Sequence, residues 1–238
     1  MANSPEGLFA AVLAAEPTRP LVTFYDDATG ERVELSARSL ANWVAKTHFL
    51  ITDSLGLGPG DSALVELPAH WLTLPVLFGC WSAGLTITAD AASADVGFVD
   101  DVTAEVATGV PEVFAISRSS AARGFGDQPP TGCEDFVLAV RPQPDAWAAV
   151  RSPGGAQDAA IGTQTRAELS ARAAARAVEL GLVPGARVLS AAPWTGPASW
   201  LDALLAPLAV GGSIVLVANA DLGRLDAKAD QERATAIV

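Results

Sequence analysis

The chain has 238 residues; half of them are hydrophobic, 18% are charged, and the formal net charge is −12. This composition supplies a large hydrophobic core and excludes an intrinsically disordered chain. Lysine occurs only at Lys46 and Lys228, and no basic cluster offsets the negative charge, so nucleic acid is excluded as an expected partner.

The first half of the chain alternates between segments with helical and with strand patterns. In chain order these are a helix over residues 8–15, a β-hairpin with strands at 21–25 and 32–35, a helix over 37–55, a strand at 62–67, a helix over 70–83, strands at 85–88, 96–99 and 113–116, and a weak helix over 102–108. Ser36 is placed to cap the second helix. The segment 134–140 fits a helix or a strand, and its apolar pattern does not distinguish them.

The second half repeats the alternation. It predicts a helix over residues 165–180, a strand at 187–192, a helix over 199–210, a strand at 213–217 and a polar helix over 221–233. Thr165 and Glu168 have the spacing of a capping box at the start of the first of these helices. Strands that alternate with helices predict a layered α/β fold with mostly parallel sheets.

One uncharged stretch, residues 67–89, has the length of a membrane-spanning helix. Pro68, Pro75 and Gly84 interrupt this stretch, which favours a buried helix followed by a buried strand over a membrane span. The N-terminus lacks the pattern of a secretory signal, so we expect a cytoplasmic protein with no membrane partner.

The sequence gives little support to metal or redox chemistry. Two cysteines, Cys80 and Cys133, are too few for a disulfide framework, and Cys80 lies in an apolar stretch, as a small buried hydrophobic residue would. The histidines, His48 and His70, have no cysteine or carboxylate at ligand spacing, so we predict no metal site.

A short motif occurs twice. Leu55-Gly56-Leu57-Gly58-Pro59-Gly60 recurs 125 positions later as Leu180-Gly181-Leu182-Val183-Pro184-Gly185. Each copy follows a helix and precedes a strand, a tryptophan-containing helix, a small-residue pair and another strand. A Pro-Gly turn between a helix and a strand is common by itself, but the shared order favours duplication. We therefore expect a first α/β subdomain over residues 1–120, a connecting segment over 121–150 and a second subdomain over 151–238.

The order of these features resembles the N-terminal region of adenylate-forming enzymes, a family that includes acyl-CoA synthetases, peptide-synthetase adenylation domains and luciferases. The motifs that carry the resemblance are Ser39-Leu40, Leu55-Gly56-Leu57-Gly58-Pro59-Gly60-Asp61, Leu67-Pro68, Ala83-Gly84-Leu85, Leu180-Gly181-Leu182-Val183-Pro184-Gly185, Arg187-Val188-Leu189, Pro193-Trp194-Thr195-Gly196 and Gly211-Gly212. The resemblance implies two pseudo-symmetric subdomains without the small C-terminal lid, because the family's later motifs fall beyond the last residue. The reaction it implies joins a carboxylate to ATP and passes the acyl group to a thiol.

The family's phosphate loop surrounds phosphates with glycines, hydroxyl groups and a lysine ahead of a helix. Its place here is residues 150–162. The candidate nucleotide-binding residues are Ser152, Gly154 and Gly155. The threonine pair and the lysine are absent, Pro153 removes a backbone donor, and Asp158 adds an anion. The resemblance implies ATP or AMP with Mg²⁺ as the cofactor, and this degenerate loop argues against tight binding of either.

Other positively charged residues do not restore the loop. Arg151 and Arg166 lie near it, but neither has the position of the missing lysine. We expect Lys228 to lie on a solvated face of the terminal helix. The sequence therefore predicts no catalytic residue.

The family builds its acyl pocket after a strand of the second subdomain. The candidate pocket residues are Trp194, Thr195 and Gly196. Core packing explains Trp194 and the nearby Trp200 equally well, since buried aromatic residues more often fill cores than bind ligands.

Three functions remain open. The first is a non-catalytic, degenerate relative of these enzymes, retained as a binding or interaction protein. The second is an adenylate-forming ligase that a partner chain completes. The third is a binder of small acyl molecules. We also expect a homodimer, because an apolar sheet edge that the rest of the domain covers in this family would be exposed here.

Overall fold

The computed structural model describes residues 3–119, 122–126 and 128–238. Within these residues the strands are β1 (Pro20–Asp26), β2 (Glu31–Ser36), β3 (Ser62–Glu66), β4 (Thr86–Thr88), β5 (Val96–Val99), β6 (Glu112–Ala115), β7 (Glu134–Asp135), β8 (Ala159–Ile161), β9 (Gln164–Thr165), β10 (Arg187–Ser190), β11 (Ser213–Ala218) and β12 (Ala236–Ile237). The helices are α1 (Pro5–Ala15), α2 (Ala37–Phe49), α3 (Thr73–Ala83), α4 (Phe136–Val140), α5 (Arg166–Glu179), α6 (Pro197–Trp200), α7 (Ala206–Ala209) and α8 (Leu225–Glu232). The predicted α/β fold with mostly parallel sheets is confirmed.

Two helices are longer than their α-helical parts. A π-helical turn at Leu50–Ser54 extends α2, and another at Leu201–Leu205 joins α6 to α7. Ser36 caps α2 as predicted, because its Oγ accepts a hydrogen bond from the Ser39 N–H at 3.1 Å. Short 3₁₀ helices lie at Ala91–Ser93, Ala104–Ala107, Trp147–Ala149 and Leu222–Arg224.

The chain divides into two compact units, each built around one sheet. The first unit contains the described residues up to Leu40 together with Ala69–Trp71 and Ala167–Val238. Its five-stranded sheet has the order β12-β10-β11-β1-β2 and is parallel except for the β1–β2 hairpin.

The second unit contains Ala41–Pro68 and the described residues of Leu72–Arg166. Its seven-stranded sheet has the order β7-β6-β5-β3-β4-β8-β9 and is parallel except for the β8–β9 hairpin. Stacked and edge-to-face rings of Phe98, Phe114 and Phe136 fill part of its core, with ring centroids 5.8 and 6.0 Å apart. Such ring geometries add to the burial of apolar area.

The repeat seen in the sequence extends over five strands of each sheet. Strands β9, β8, β4, β3 and β5 of the second unit match β2, β1, β11, β10 and β12 of the first, in the same order. The registers agree as well: Ser62 pairs with Thr86 as Arg187 pairs with Ser213. The two halves therefore share one topology, as the resemblance implied.

The division of the chain differs from the expected one at residues 120 and 151. The β1–β2 hairpin comes before β3 in the chain, but it pairs with β11 of the other repeat. The β8–β9 hairpin likewise comes before β10 but pairs with β4. Each hairpin thus joins the sheet of the opposite repeat, because parallel pairing joins strands that are distant in sequence. A boundary drawn along the chain misses this exchange.

The turns that follow α3 and α7 occupy equivalent places in the two repeats, and each contains a glycine in the left-handed region. Gly84 follows α3 with φ of 95°, and Gly211 follows α7 with φ of 68°. Both values lie in the left-handed region, where a helix commonly ends at a glycine. Gly212 has a second restriction, since a Cβ there would lie 2.3 Å from the Ala186 carbonyl oxygen.

Some short elements differ from their predictions. The ambiguous segment 134–140 contains both β7 and α4, and the expected helix over 102–108 is only a 3₁₀ turn. Strands β8 and β12 have two or three residues each and lie outside the predicted elements, and Thr165 of the two-residue strand β9 falls at the start of the helix predicted over residues 165–180. None of the helices within the described residues combines the length and the apolar character that a membrane crossing requires.

Candidate functional site

The candidate nucleotide-binding residues lie in an irregular loop that leads into β8. Ser152 and Gly155 are exposed, and Gly154 is half-buried. The Gly155 N–H donates a hydrogen bond of 2.6 Å to Oδ2 of Asp158, and the Asp158 N–H donates to the Gly155 carbonyl oxygen at 3.1 Å. The loop is therefore closed on itself, with a carboxylate accepting the backbone hydrogen bond of Gly155.

Arg166 supports the same loop from inside the second unit. Its side chain is fully buried, and a Cβ on Gly154 would lie 2.7 Å from its Cζ. Its Nη1 donates to the Trp81 carbonyl oxygen at 2.7 Å and its Nη2 to the Leu85 carbonyl oxygen at 3.4 Å. A cation at the end of α3 complements the free carbonyl groups and the helix dipole. Gly154 is thus required where the backbone passes close to a guanidinium.

Two other cations of the second unit, Arg151 and Lys46, also bind main-chain groups. Nη1 of Arg151 donates to the carbonyl oxygens of Ala148 and Val150, at 2.7 and 3.0 Å. Nζ of Lys46 donates to the carbonyl oxygens of Arg141 and Gln143, at 2.9 and 2.6 Å. These contacts stabilise the fold of the second unit.

Lys228 does not lie on a solvated helix face as expected. Its Nζ forms an ion pair with Asp27 and lies 4.3 Å from the centroid of the Tyr25 ring, and its side chain is only 11% exposed. The position above the ring adds a cation–π interaction. Burial raises the pKa of Asp27, but hydrogen bonds from Lys228 and from the Asp221 N–H outweigh it and lower the pKa below its ordinary value. The lysine anchors α8 to the β1–β2 hairpin.

A second polar cluster lies next to this contact. The carboxylate of Glu232 accepts hydrogen bonds from Tyr25, Arg32 and Arg187. Burial raises the pKa of Glu232, but these three donors outweigh it and lower the pKa below its ordinary value. Burial raises the pKa of Tyr25, and its hydrogen bond to the glutamate raises it further. The network joins α8 to three strands of the five-stranded sheet.

The candidate pocket residues follow the carboxyl end of β10 in the first unit. Trp194 is buried, and Thr195 is exposed. The Thr195 N–H donates to Ser199 Oγ at 3.2 Å, and Gly196, with φ of 139°, precedes α6 as its N-cap residue. The indole N–H groups of Trp194 and Trp200 are buried and have no acceptor among the described residues. In parallel α/β sheets ligands bind beyond the carboxyl ends of the strands.

The two groups of candidate residues belong to different units, 152–155 to the second and 194–196 to the first. No group of three or more histidine, cysteine or acidic side chains within the described residues is placed to hold a metal ion. His48 is buried; burial lowers its pKa, while Asp53 and a backbone bond with Ser82 act in the opposite direction. Cys80 is also buried, and burial raises the pKa of its thiol.

The sequence of a protein from Mycobacterium tuberculosis (strain ATCC 25618 / H37Rv), described as a TIGR03089 family protein, is 39% identical to this chain over 239 residues. The alignment covers 95% of this chain and 94% of that protein. The chain belongs to the TIGR03089 family. No family model matches this chain.

Two solved structures are similar in fold to this chain. The anthranilate CoA ligase AuaEII, solved with anthranoyl-AMP, matches 98% of this chain with a TM-score of 0.75 and 15% identity, over 49% of its own chain. Mycobacterium smegmatis MbtA, solved without ligand, matches 100% of this chain with a TM-score of 0.74 and 19% identity, over 48% of its own chain. This chain thus has the fold of the N-terminal region of adenylate-forming enzymes and spans about half of the length of these two solved chains.

Sequence reasoning missed the structural role of two residues near the loop. The sequence predicts that Asp158 adds an anion to the loop. It does not predict that the Asp158 carboxylate accepts the Gly155 N–H, because that bond depends on the turn between the two residues. Arg166 was weighed as a substitute cation, and arginine is rarely found fully buried. One signal was present in the sequence: Arg166 opens an alanine-rich amphipathic helix directly after the loop.

Proposed function

We propose that this chain is a non-adenylating relative of the adenylate-forming enzymes that acts as a binding or interaction protein. The observation that carries the proposal is the hydrogen bond of 2.6 Å from the Gly155 N–H to the Asp158 carboxylate. Backbone N–H groups of such a loop bind phosphate oxygens in nucleotide sites. Here an acidic side chain of the chain itself takes that donor.

The distribution of positive charge supports the same proposal. Lys46 and Lys228 are the only lysines of the chain, and both side chains bind groups of the fold. Arg166 contacts main-chain carbonyl groups within the core. Phosphoryl chemistry requires charge stabilisation of the transferring group. The three cations named here are instead paired with groups of the fold.

The residues of the loop do not fit ATP with Mg²⁺. A nucleotide would bring phosphate oxygens against the Asp158 carboxylate, and two anions in contact repel each other. The loop therefore supports no step of an adenylation reaction. The activities of AuaEII and MbtA belong to those proteins.

The test is nucleotide binding and turnover by the purified protein. We expect no pyrophosphate release from ATP and Mg²⁺ with a panel of aliphatic and aromatic carboxylic acids, and no rise in melting temperature with ATP. Asp158→Asn should weaken the block and allow detectable binding of ATP, whereas Asp145→Asn, which removes an exposed carboxylate elsewhere, should not. Pyrophosphate release by the wild-type protein would refute the proposal. Release only after a second polypeptide is added would favour a ligase that a partner completes.

One observation favours a binder of acyl molecules as the second candidate. The buried indole N–H of Trp194 has no acceptor among the described residues, and an unmade hydrogen bond in a buried site costs free energy. A carboxylate ligand would supply the acceptor. A change in tryptophan fluorescence on adding benzoate or hexanoate, lost in Trp194→Phe and kept in Trp147→Phe, would support this function.

A further inference from the structure

A cavity of about 480 Å³ lies within the first unit, away from the residues assigned to any site above. Helices α1, α5 and α7 form its walls, and Asn3 and Gly211 complete them. Its volume is within the range of small-molecule sites in proteins. The other lining residues are Leu8, Ala11, Val12, Ala15, Glu16 directly after α1, Ala167, Ser170, Ala171, Ala174, Leu208 and Ala209.

The spacing of small side chains explains why the cavity exists. Ala11 and Ala15 are one helical turn apart on α1, and Ala167, Ala171 and Ala174 lie on one face of α5. Methyl side chains leave space between helices that larger residues would fill. Because Ala11, Ala15, Ala171 and Ala174 are also exposed, the cavity opens to solvent, and a ligand has a path of entry.

The chemistry of the walls limits the kind of ligand. Ser170 is only 5% exposed, and its hydroxyl oxygen has no hydrogen-bond partner within the described part of the chain. Glu16 is the one charged residue among the lining side chains, and the whole chain carries a net charge of −12. Arg19 contacts Glu16 and Gly211 beside the cavity, but it is already paired with the Glu16 carboxylate at 2.9 Å. A carboxylate or phosphate ligand would therefore meet an anion and no unpaired cation among the lining residues, so an anion does not fit.

We propose that this cavity binds an uncharged apolar molecule that carries one hydrogen-bonding group, such as an alcohol, a phenol or an amide. The apolar part contacts the alanine and leucine side chains, and the polar group pairs with the Ser170 hydroxyl. Apolar walls with a few placed polar groups are typical of such sites. The proposal is independent of the loop at residues 150–158, because none of its residues lines the cavity.

The first experiment uses two probes with the same chain length and different charge. Octan-1-ol and octanoate are titrated at pH 7.5 into the ¹⁵N-labelled full-length protein, and amide chemical shifts are followed. We expect octanol to shift the signals of Ala11, Ser170 and Ala171 in a saturable way, and octanoate to shift them little. Equal shifts with both probes, or none with octanol up to its solubility, would overturn the proposal.

Matched variants locate the binding site. Ala171→Phe fills the cavity from α5 and should abolish octanol binding, while Val178→Phe, on the same helix but outside the cavity, should leave it unchanged. Ala15→Phe fills the cavity from α1 and serves if the first variant fails to fold. Ser170→Ala keeps the shape and should lower the affinity about fivefold through loss of one hydrogen bond. Octanol binding that survives both phenylalanine substitutions in the cavity would refute the site.

Discussion

The helices α3 and α7 end at equivalent places in the two repeats, and an arginine next to a hairpin binds main-chain oxygens beside each end. Arg19 directly precedes the β1–β2 hairpin, and Arg166 directly follows the β8–β9 hairpin. In the first unit, Nη2 of Arg19 donates to the Gly185 carbonyl oxygen at 2.9 Å and Nη1 to the Gly211 carbonyl oxygen at 3.4 Å. In the second unit, Arg166 donates to the carbonyl oxygens of Trp81 and Leu85. Both arginines donate hydrogen bonds to main-chain carbonyl oxygens, but the two side chains differ in exposure to solvent.

Exposure is the difference that matters. The Arg19 side chain is 34% exposed and forms an ion pair with Glu16 at 2.9 Å, whereas Arg166 is fully buried under Gly154. Water can replace an exposed donor, but it has no access to a buried one. The loop that resembles a phosphate loop is thus shaped by a buried structural contact, and the equivalent segment before β1 is not.

The largest expected effect comes from removing each arginine in turn. Arg166→Met should lower the free energy of unfolding by about 4 kcal/mol, because two buried carbonyl groups lose their donors at ~1–3 kcal/mol each. Arg19→Met should cost about 1 kcal/mol, since water reaches its carbonyl partners. Urea unfolding followed by tryptophan fluorescence measures both values. Equal losses would show that burial does not distinguish the two contacts.

The turns that follow α3 and α7 also differ between the two repeats. The Gly212 N–H donates to the Pro207 carbonyl oxygen at 2.8 Å, as Leu85 does to Cys80 at 3.0 Å in the other repeat. Leucine is accepted at one place, but at Gly212 a Cβ would meet the Ala186 and Pro207 carbonyl oxygens at 2.3 and 2.8 Å. The same hydrogen bond is therefore made with a closer approach of the backbone.

Gly212→Ala should lower the free energy of unfolding by about 2 kcal/mol, because the clash is with main-chain atoms that cannot rotate away. Gly211→Ala is the matched control; nothing lies within 4 Å of its Cβ position, so only its φ of 68° opposes the change. We expect that control to cost about 1 kcal/mol. Thermal and urea unfolding of the two variants side by side would contradict this order if Gly211→Ala were the less stable.

The long elements could be predicted from the sequence because their hydrophobic periods extend over many residues. Helix α5 and strand β11 were expected within two residues of their observed bounds. Strands β8 and β12 were not, since two or three residues carry no period. The exchange of hairpins also left no local signal, because the partner of β1 is β11, far along the chain.

The candidate site could be predicted only in its composition. Gly154 and Asp158 were recognised as residues of a degenerate loop, but the contact of Gly154 with Arg166 depends on the hydrogen bond that holds Arg166 against the Trp81 carbonyl oxygen. The same holds for the alanine-lined cavity. The spacing of the alanines along α1 and α5 is visible in the sequence, but the space that they leave between the helices is not. Local patterns report which side chains share a face, and tertiary packing decides what that face meets.

The smallest expected effect concerns β5 and β12, which pair with β3 and β10 at equivalent places in the two repeats. The Ser62 N–H donates to Asp95 Oδ2 at 2.8 Å, and the Arg187 N–H donates to Thr235 Oγ1 at 3.0 Å. The first unit adds Glu232, which has no equivalent bond among the described residues of the second. Its lowered pKa makes this addition dependent on pH.

Glu232→Gln should lower the free energy of unfolding by about 1 kcal/mol at pH 7, because its three donors lose a charged acceptor. A carboxyl whose pKa is lower in the folded state stabilises the fold above its ordinary pKa of 4.5, and that contribution disappears as the pH falls through the folded value. The gap between wild type and variant should therefore be full at pH 6–7 and close as the pH falls below 4.5 and through the lowered pKa of Glu232. Glu179→Gln removes an exposed carboxylate and should show little change across this range. A gap that stayed constant with pH would mean that Glu232 stabilises α8 through its shape and not its charge.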